Sequence, residues 1–267
     1  MKTALIGYTG FVGSNILSQN RFDDLYNSKN IHTIHGKQYD LLINAGVTGT
    51  KWIANANPDE DIGRIQNLMD HLKEVKTKRI VHISTFDVYP KTRNVDEKTS
   101  ISLKEENNVY GENRLKMEFF IKNIFSNYTI VRLPGLYGKN LKKNFIYDFI
   151  HNRKLHLTNS ENIVQMYNLA HIWSDITIAI KNNLPIINLA VEPIPLKVII
   201  KEIFKMDFNN KNEKVPTYYD VRSIYGHLYK TSFKYLYSQR KVLQELKKFV
   251  LGEQKNLRKL NRKIKSA

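Results

Sequence analysis

The first fourteen residues constrain this chain more than any other stretch. Residues 3–14 read TALIGYTGFVGS, an apolar run broken by Gly7, Gly10 and Gly13, and a helical pattern follows at once. A strand that passes through glycines into a helix makes a turn where a phosphate can rest on helix N–H groups. Glycine permits both the tight turn and the close approach of another backbone. The spacing is G-x-x-G-x-x-G rather than the commoner G-x-G-x-x-G. Its place directly after a clean apolar strand still points to a dinucleotide pyrophosphate. Gly7, Thr9, Gly10, Phe11, Val12 and Gly13 are the candidate cofactor contacts in this turn.

The apolar pattern then alternates between two periods. Strands are expected at 3–7, 40–45, 79–84 and 128–133. Helices are expected at 11–20, at 58–75, where Ile62, Ile65, Leu68, Met69, Leu72 and Val75 recur at helical spacing, and at 110–125. Strands alternating with helices predict an α/β fold: a Rossmann-type, doubly wound, mostly parallel sheet whose ligand lies at the C-terminal strand ends. After Pro134 the pattern loosens into a helix at 168–181, a strand at 186–190, a helix at 195–204, a polar loop at 208–216 and a basic amphipathic helix at 242–250. The expected organisation is a dinucleotide-binding core over 1–134. Residues 135–267 then complete that core and form a small C-terminal substrate-binding cap. Gly252 is expected to break the last helix. Beyond it a basic tail with Leu257, Leu260 and Ile264 on one possible face would be peripheral, either solvated or drawn to an anionic membrane or an acidic partner.

Composition narrows the function. The 267 residues contain no cysteine, which excludes disulfides, thiol nucleophiles and zinc–thiolate sites. No run approaches the ~20 apolar residues of a membrane span. No secretory signal pattern stands at the start, so a cytoplasmic protein is expected. The histidines are scattered without metal-ligand spacing. The net charge of +17 is spread along a chain rich in lysine and asparagine. With no recognisable reading motif or aromatic interleaving, nucleic acid is not an expected partner.

Three features fall into a pattern: the N-terminal glycines, the segment HISTFDVYP with Ser84, Thr85 and Tyr89, and Tyr110 in VYGENRLKMEFF, 25 residues beyond Thr85. Together they resemble the extended short-chain dehydrogenase/reductase family, which includes nucleotide-sugar epimerases, dehydratases and reductases. RLPGLYG at 132–138 and VDE at 95–97 also resemble motifs of that family. The resemblance covers about residues 1–205 and implies an NAD(P)-dependent enzyme acting on a nucleotide-activated sugar, commonly as a homodimer. It implies that Thr85 binds the reacting oxygen and that Tyr110 gives and takes its proton. Residue 114, a lysine in the family, would hold the ribose and favour the phenolate. Here it is Arg114, which supplies charge but holds its proton firmly. Ala45, Gly46, Ser84 and Pro134 are further expected cofactor contacts.

Subclass markers narrow the reaction. Family dehydratases carry an Asp-Glu pair after the threonine; this chain has Phe86 and Asp87, so a 4-epimerase or a keto-sugar reductase is expected instead. A catalytically weak dinucleotide sensor or scaffold is the alternative. The second strand is expected to end at Asn27, Ser28 and Lys29. Without the usual acid for a ribose 2′-hydroxyl, these residues suit the 2′-phosphate of NADP better than NAD. Lys51 and Trp52 are expected in a substrate loop, and Asn140, Lys142, Lys143 and Asn144 near a substrate diphosphate. His171, Trp173 and Asp175 are expected to pack the cap on the core.

Overall fold

The structure is a computed structural model that describes residues 1–213, 215–229, 231 and 234–265, with the backbone alone at 260–265. Six strands form the central sheet: β1 (Thr3–Ile6), β2 (Asp24–Tyr26), β3 (Leu41–Asn44), β4 (Ile80–Thr85), β5 (Tyr128–Leu133) and β6 (Ile186–Asn188). Their order is β2-β1-β3-β4-β5-β6, and every neighbouring pair is parallel. The chain reverses direction across the sheet between β1 and β3. A crevice therefore opens at their C-terminal ends, the usual ligand position in an open α/β sheet.

Helices α1 (Phe11–Leu17), α2 (Lys51–Ala56), α3 (Pro58–Lys73), α4 (Val109–Ile124), α5 (Phe145–Ile150), α6 (Ile172–Lys181), α7 (Leu196–Ile199) and α8 (Gln239–Lys265) complete the main elements. Alternate strand residues face opposite sides. Ala4, Ile6, Leu42, Ile80 and Ile130 meet Leu72 of α3 and Ile121 of α4. Leu5, Ile43, Val81 and Val131 meet Ile16 of α1, Ile176 of α6 and Leu246 of α8. Both faces are covered, which is why the strands read as mainly apolar runs.

Short strand pairs fold the later chain back over the sheet edge. Met166–Asn168 pairs with Gly135–Tyr137, Ile194–Pro195 with Ile163–Val164, and Asp220–Val221 with Arg93–Val95. The buried Gln165 amide joins these pieces, donating to the carbonyls of Val191 and Val221 and accepting from Val221 N at 2.9 Å.

Three expectations are corrected. Residues 51–56 form α2 rather than a loop, so Lys51 and Trp52 stand on a helix. The helix begun at α7 widens into a π-helix at Ile200–Phe204. Gly252 does not break α8, which runs unbroken from Gln239 to Lys265. One interior glycine costs only ~1 kcal/mol, and the strong helix formers around it outweigh that. The side chains of Leu260 and Ile264, part of the expected apolar face, lie outside the described residues.

One buried ion pair locks α4 to the sheet. Glu118 accepts from Ser84 Oγ of β4 at 2.6 Å and from Arg132 Nε and Nη2 of β5 at 2.9 and 2.6 Å. Burial alone would raise the Glu118 carboxyl, but the Arg132 charge and these hydrogen bonds hold it below its usual value. Arg132 Nη1 continues the network to Tyr89 Oη at 2.8 Å, and Tyr89 reaches Asn188 of β6. Removing one charge of such a pair strands the other in the core. Glu118→Gln is therefore expected to lower the unfolding free energy by about 3–5 kcal/mol in urea titration. A loss under about 1 kcal/mol would show that the pair does not carry this junction.

Candidate active site

The glycine turn joins β1 to α1 at the crevice. Gly7 has φ +83°, and a Cβ there would stand 2.3 Å from the Ala45 carbonyl oxygen at the end of β3. A Cβ on Gly13 would stand 2.1 Å from the Gly7 carbonyl oxygen. The turn, the start of α1 and the end of β3 thus pack backbone against backbone, with no room for side chains between them. Gly10 precedes α1 without a side-chain cap, and Thr9 and Gly10 are exposed. Gly46 N is bonded to Asn44 Oδ1 at 3.0 Å, which fixes the neighbouring turn. This floor of bare backbone at the strand ends fits a pyrophosphate, which needs close approach and N–H donors.

Asn27, Ser28 and Lys29 follow β2 as expected. The Asn27 side chain closes its own turn, donating to Tyr8 Oη at 3.2 Å and accepting from Lys29 N at 2.8 Å. Ser28 and Lys29 are exposed beside it, and the stretch 27–30 contains no acid.

The hydroxyl pair lies one strand further across. Thr85 ends β4 and Tyr110 is the second residue of α4, and the Thr85 hydroxyl stands near enough to act on the Tyr110 phenol. The start of α4 is clamped from several sides. Asn108 caps it through Gly111 N, Asn55 Oδ1 accepts from Tyr110 N at 2.9 Å, and Asn107 Nδ2 donates to the Asp87 carbonyl at 2.9 Å. A Cβ on Gly111 would fall 1.9 Å from that same carbonyl oxygen, so only glycine lets α4 approach this closely.

Arg114 lies one turn further along α4 and is buried, 2 % exposed. Its guanidinium stacks on the Tyr110 ring with Cζ 3.9 Å from the centroid. Nη1 and Nη2 form a two-pronged pair with Asp61 of α3, and Nη2 also donates to the Thr48 carbonyl. Asn113 Nδ2 supports Asp61 at 3.0 Å. Burial pushes the Tyr110 phenol above its usual value. The Arg114 charge and the nearby Thr85 hydroxyl pull it down, the charges of Asp87 and Asp61 push it up, and the net shift is upward. The phenol is therefore protonated at neutral pH, although the Arg114 charge acts in the direction of the phenolate.

Asp87 gathers the remaining polar groups. Its carboxylate accepts from Lys51 Nζ at 2.6 Å, from Tyr219 Oη at 2.8 Å and from Thr85 Oγ1 at 3.4 Å. Lys143 Nζ donates to the Gly49 carbonyl at 3.2 Å and also to Thr50 Oγ1, so this lysine does reach the segment that leads into α2. Asn144 is spent on structure, capping α5 and donating to the Leu136 carbonyl. Asn140 and Lys142 are exposed beside it, and Trp52 is exposed on α2 at 71 %. Pro134 follows β5 and is half-buried. The Ser84 hydroxyl turns to Glu118, which leaves only its backbone for a cofactor.

Asp61 and Tyr219 were not singled out from sequence. Asp61 reads as an ordinary acid in the first turn of a helix. Tyr219 reaches Asp87 only because Asp220–Val221 pairs with Arg93–Val95. His171, Trp173 and Asp175 pack as expected: His171 Nε2 on Glu245 at 2.9 Å, Trp173 edge-on to Phe22, and Asp175 accepting from Tyr167 and Tyr237.

Comparison with known proteins shows the family and the fold. Residues 18–166 match the NAD dependent epimerase/dehydratase family. No curated protein matches the chain. Among solved structures, a dTDP-4-dehydrorhamnose reductase from Yersinia enterocolitica superposes with a TM-score of 0.72 at 16% identity, over 95% of this chain and 99% of that one. One from Bacillus anthracis, in complex with NADP, gives 0.70 at 17% identity over 94% and 99%. A UDP-N-acetylglucosamine 4-epimerase from Bacillus cereus gives 0.67 at 17% identity over 97% and 99%. At these identities the superpositions speak for the fold alone. The family match spans more than half of the sequence and contains β4, α4 and the Thr85–Tyr110 pair, and on that ground the chain belongs to the NAD-dependent epimerase/dehydratase family of short-chain dehydrogenase/reductases.

Proposed function

We propose that this protein is an NADP-dependent reductase of a nucleotide-activated keto-sugar. The observation that carries the reading is the placement of Thr85 at the end of β4 beside Tyr110 at the start of α4, two strands from the glycine turn. When bound, the nicotinamide supplies the hydride to a sugar carbon. Thr85 orients the sugar oxygen and Tyr110 gives it a proton. A 4-epimerase must begin by removing a proton, whereas a reductase needs only an acid. The raised phenol of Tyr110 favours the acid, and so the reductase over the epimerase. Lys51 at the start of α2 and Lys143, bonded to Gly49 and Thr50 just before it, suit the diphosphate of the substrate. Lys29 suits a ribose 2′-phosphate. A homodimer remains the expectation from family resemblance.

The direct test is consumption of NADPH with nucleotide-linked 4-keto sugars. Tyr110→Phe is expected to lower kcat by about 10²–10⁴-fold while NADPH affinity is retained. Turnover unchanged in that variant would remove Tyr110 from the reaction. Cofactor binding without turnover on any such sugar would instead favour the sensor reading.

Asp61 offers an independent check on Tyr110. Its charge raises the phenol and neutralises Arg114, so Asp61→Asn is expected to move Tyr110 ionisation to lower pH. The readout is the phenolate absorbance step that is lost in Tyr110→Phe. A shift to higher pH would contradict the electrostatic account.

Lys29→Ala separates the cofactors. NADPH affinity is expected to fall about tenfold while NADH affinity stays within about twofold, because only one of the two carries the extra phosphate. Equal loss for both would place Lys29 elsewhere in the site.

A further inference from the structure

Helix α8 continues past the body of the protein. Its first half belongs to the core: Val242, Leu246 and Val250 are buried, and Glu245 is bonded to His171 Nε2 and Asn168 Nδ2. From Leu251 onward burial gives way. Leu251 is 55 % exposed, Lys255, Asn256, Arg258 and Lys259 are exposed, and a Cβ on Gly252 would meet nothing within 4 Å. The backbone nevertheless stays helical to Lys265. That outer length is about 20 Å at ~1.5 Å per residue.

The sequence of the outer length is amphipathic and strongly cationic. Lys255, Arg258, Lys259, Arg262, Lys263 and Lys265 face a single acid, Glu253. Leu257, Leu260 and Ile264 recur at spacings of three and four, in register with the core stripe Leu246 and Val250. Leu257 is half-buried, and the side chains from 260 onward are not described. A helix this basic has no electrostatic reason to fold back on its own body, because the rest of the chain is itself strongly positive. The same repulsion opposes pairing with a second copy. The apolar stripe distinguishes the surface from one that only tracks phosphates, and neither tyrosine nor tryptophan interleaves the lysines for base stacking.

We propose that residues 251–265 of α8 dock this protein on an anionic phospholipid surface. The helix lies in the interface with its Leu257 face toward the acyl boundary and Lys255, Arg258 and Lys259 at the headgroups. No helix among the described residues is long and apolar enough to cross a membrane, so the contact is peripheral. The anchor is continuous with the part of α8 that packs in the core, so a docked molecule is held at a fixed orientation rather than on a loose tether.

The test is co-sedimentation of the full chain with phosphatidylcholine vesicles, with and without about one-third phosphatidylglycerol. The protein is expected to pellet with the anionic vesicles and remain in solution with the neutral ones, and added salt should release it. The triple variant Lys255→Glu, Arg258→Glu and Lys259→Glu should lose at least about tenfold in partition. All three side chains are exposed, so its unfolding midpoint should not change. Leu257→Gln, which keeps every charge, should also weaken partition. Equal pelleting with both vesicle types, or an unaffected triple variant, would overturn the proposal. So would binding to single-stranded RNA that Leu257→Gln leaves intact while vesicles fail to sediment the protein.

Discussion

Tyr110, Arg114 and Glu118 stand four residues apart on one face of α4, and the site depends on where that face is held. Glu118 is gripped by Ser84 and Arg132, from two adjacent strands. Ser84 is the neighbour of Thr85, so the bond that fixes the helix also fixes the end of β4. One turn closer to the site, Arg114 is gripped by Asp61 of α3. With two of the three residues anchored to different layers, Tyr110 has little freedom to rotate away from Thr85. The Glu118 network costs desolvation, and packing alone would stabilise a core at least as well. What the charges add is register: a helix sliding by one turn on this sheet would leave Glu118 and Arg132 unpaired.

Arginine at 114 changes the electrostatics of the tyrosine more than its charge count suggests. An ammonium is a compact, mobile point charge, whereas a guanidinium is planar and binds a carboxylate with two parallel bonds. Here the plane lies flat on the phenol ring while its edge is taken up by Asp61 and Thr48. The pair Asp61–Arg114 is close to neutral as a unit, and burial then dominates the phenol. The consequence is a tyrosine kept as an acid. In this chain the charge beside the tyrosine belongs to the protein scaffold, its donors committed to Asp61 and Thr48.

The core of the fold was legible because both faces of the sheet are covered. Strands of such a sheet are mostly apolar, and β5 at Tyr128–Leu133 emerges with the expected ends. The glycine turn was legible because Gly7 and Gly13 stand where a side chain collides with backbone. Thr85 and Tyr110 followed from family resemblance, and the structure brings them together. Illegible were the features set by distant contacts. KWIANA at 51–56 has six residues and no side-chain cap, so its helix owes more to packing beside α3 and α4 than to local preference. Gly252 misled because a lone glycine is weak punctuation inside a run of helix formers. Asp61 and Tyr219 have no local signature at all. One acts through a residue 53 positions away and the other through one 132 positions away.

Asp87 shows how those distant contacts shape the substrate side. Three separate segments meet on its carboxylate: Lys51 from α2, Tyr219 from the returning chain and Thr85 from β4. Its main chain is meanwhile pinned by Asn107 and by the close approach of Gly111. A carboxylate this near Tyr110 opposes ionisation of the phenol, and the Lys51 ammonium at 2.6 Å offsets part of that charge. Lys51 is thus committed to a balance within the protein before any substrate arrives. Any change that drew Lys51 away would leave the Asp87 charge less screened, and the phenol would hold its proton more firmly. The screening of Asp87 and the hold on the Tyr110 proton are therefore coupled through one lysine. That coupling follows from the placement of α2 beside the β4 turn, and a flexible loop at 51–56 would not maintain it.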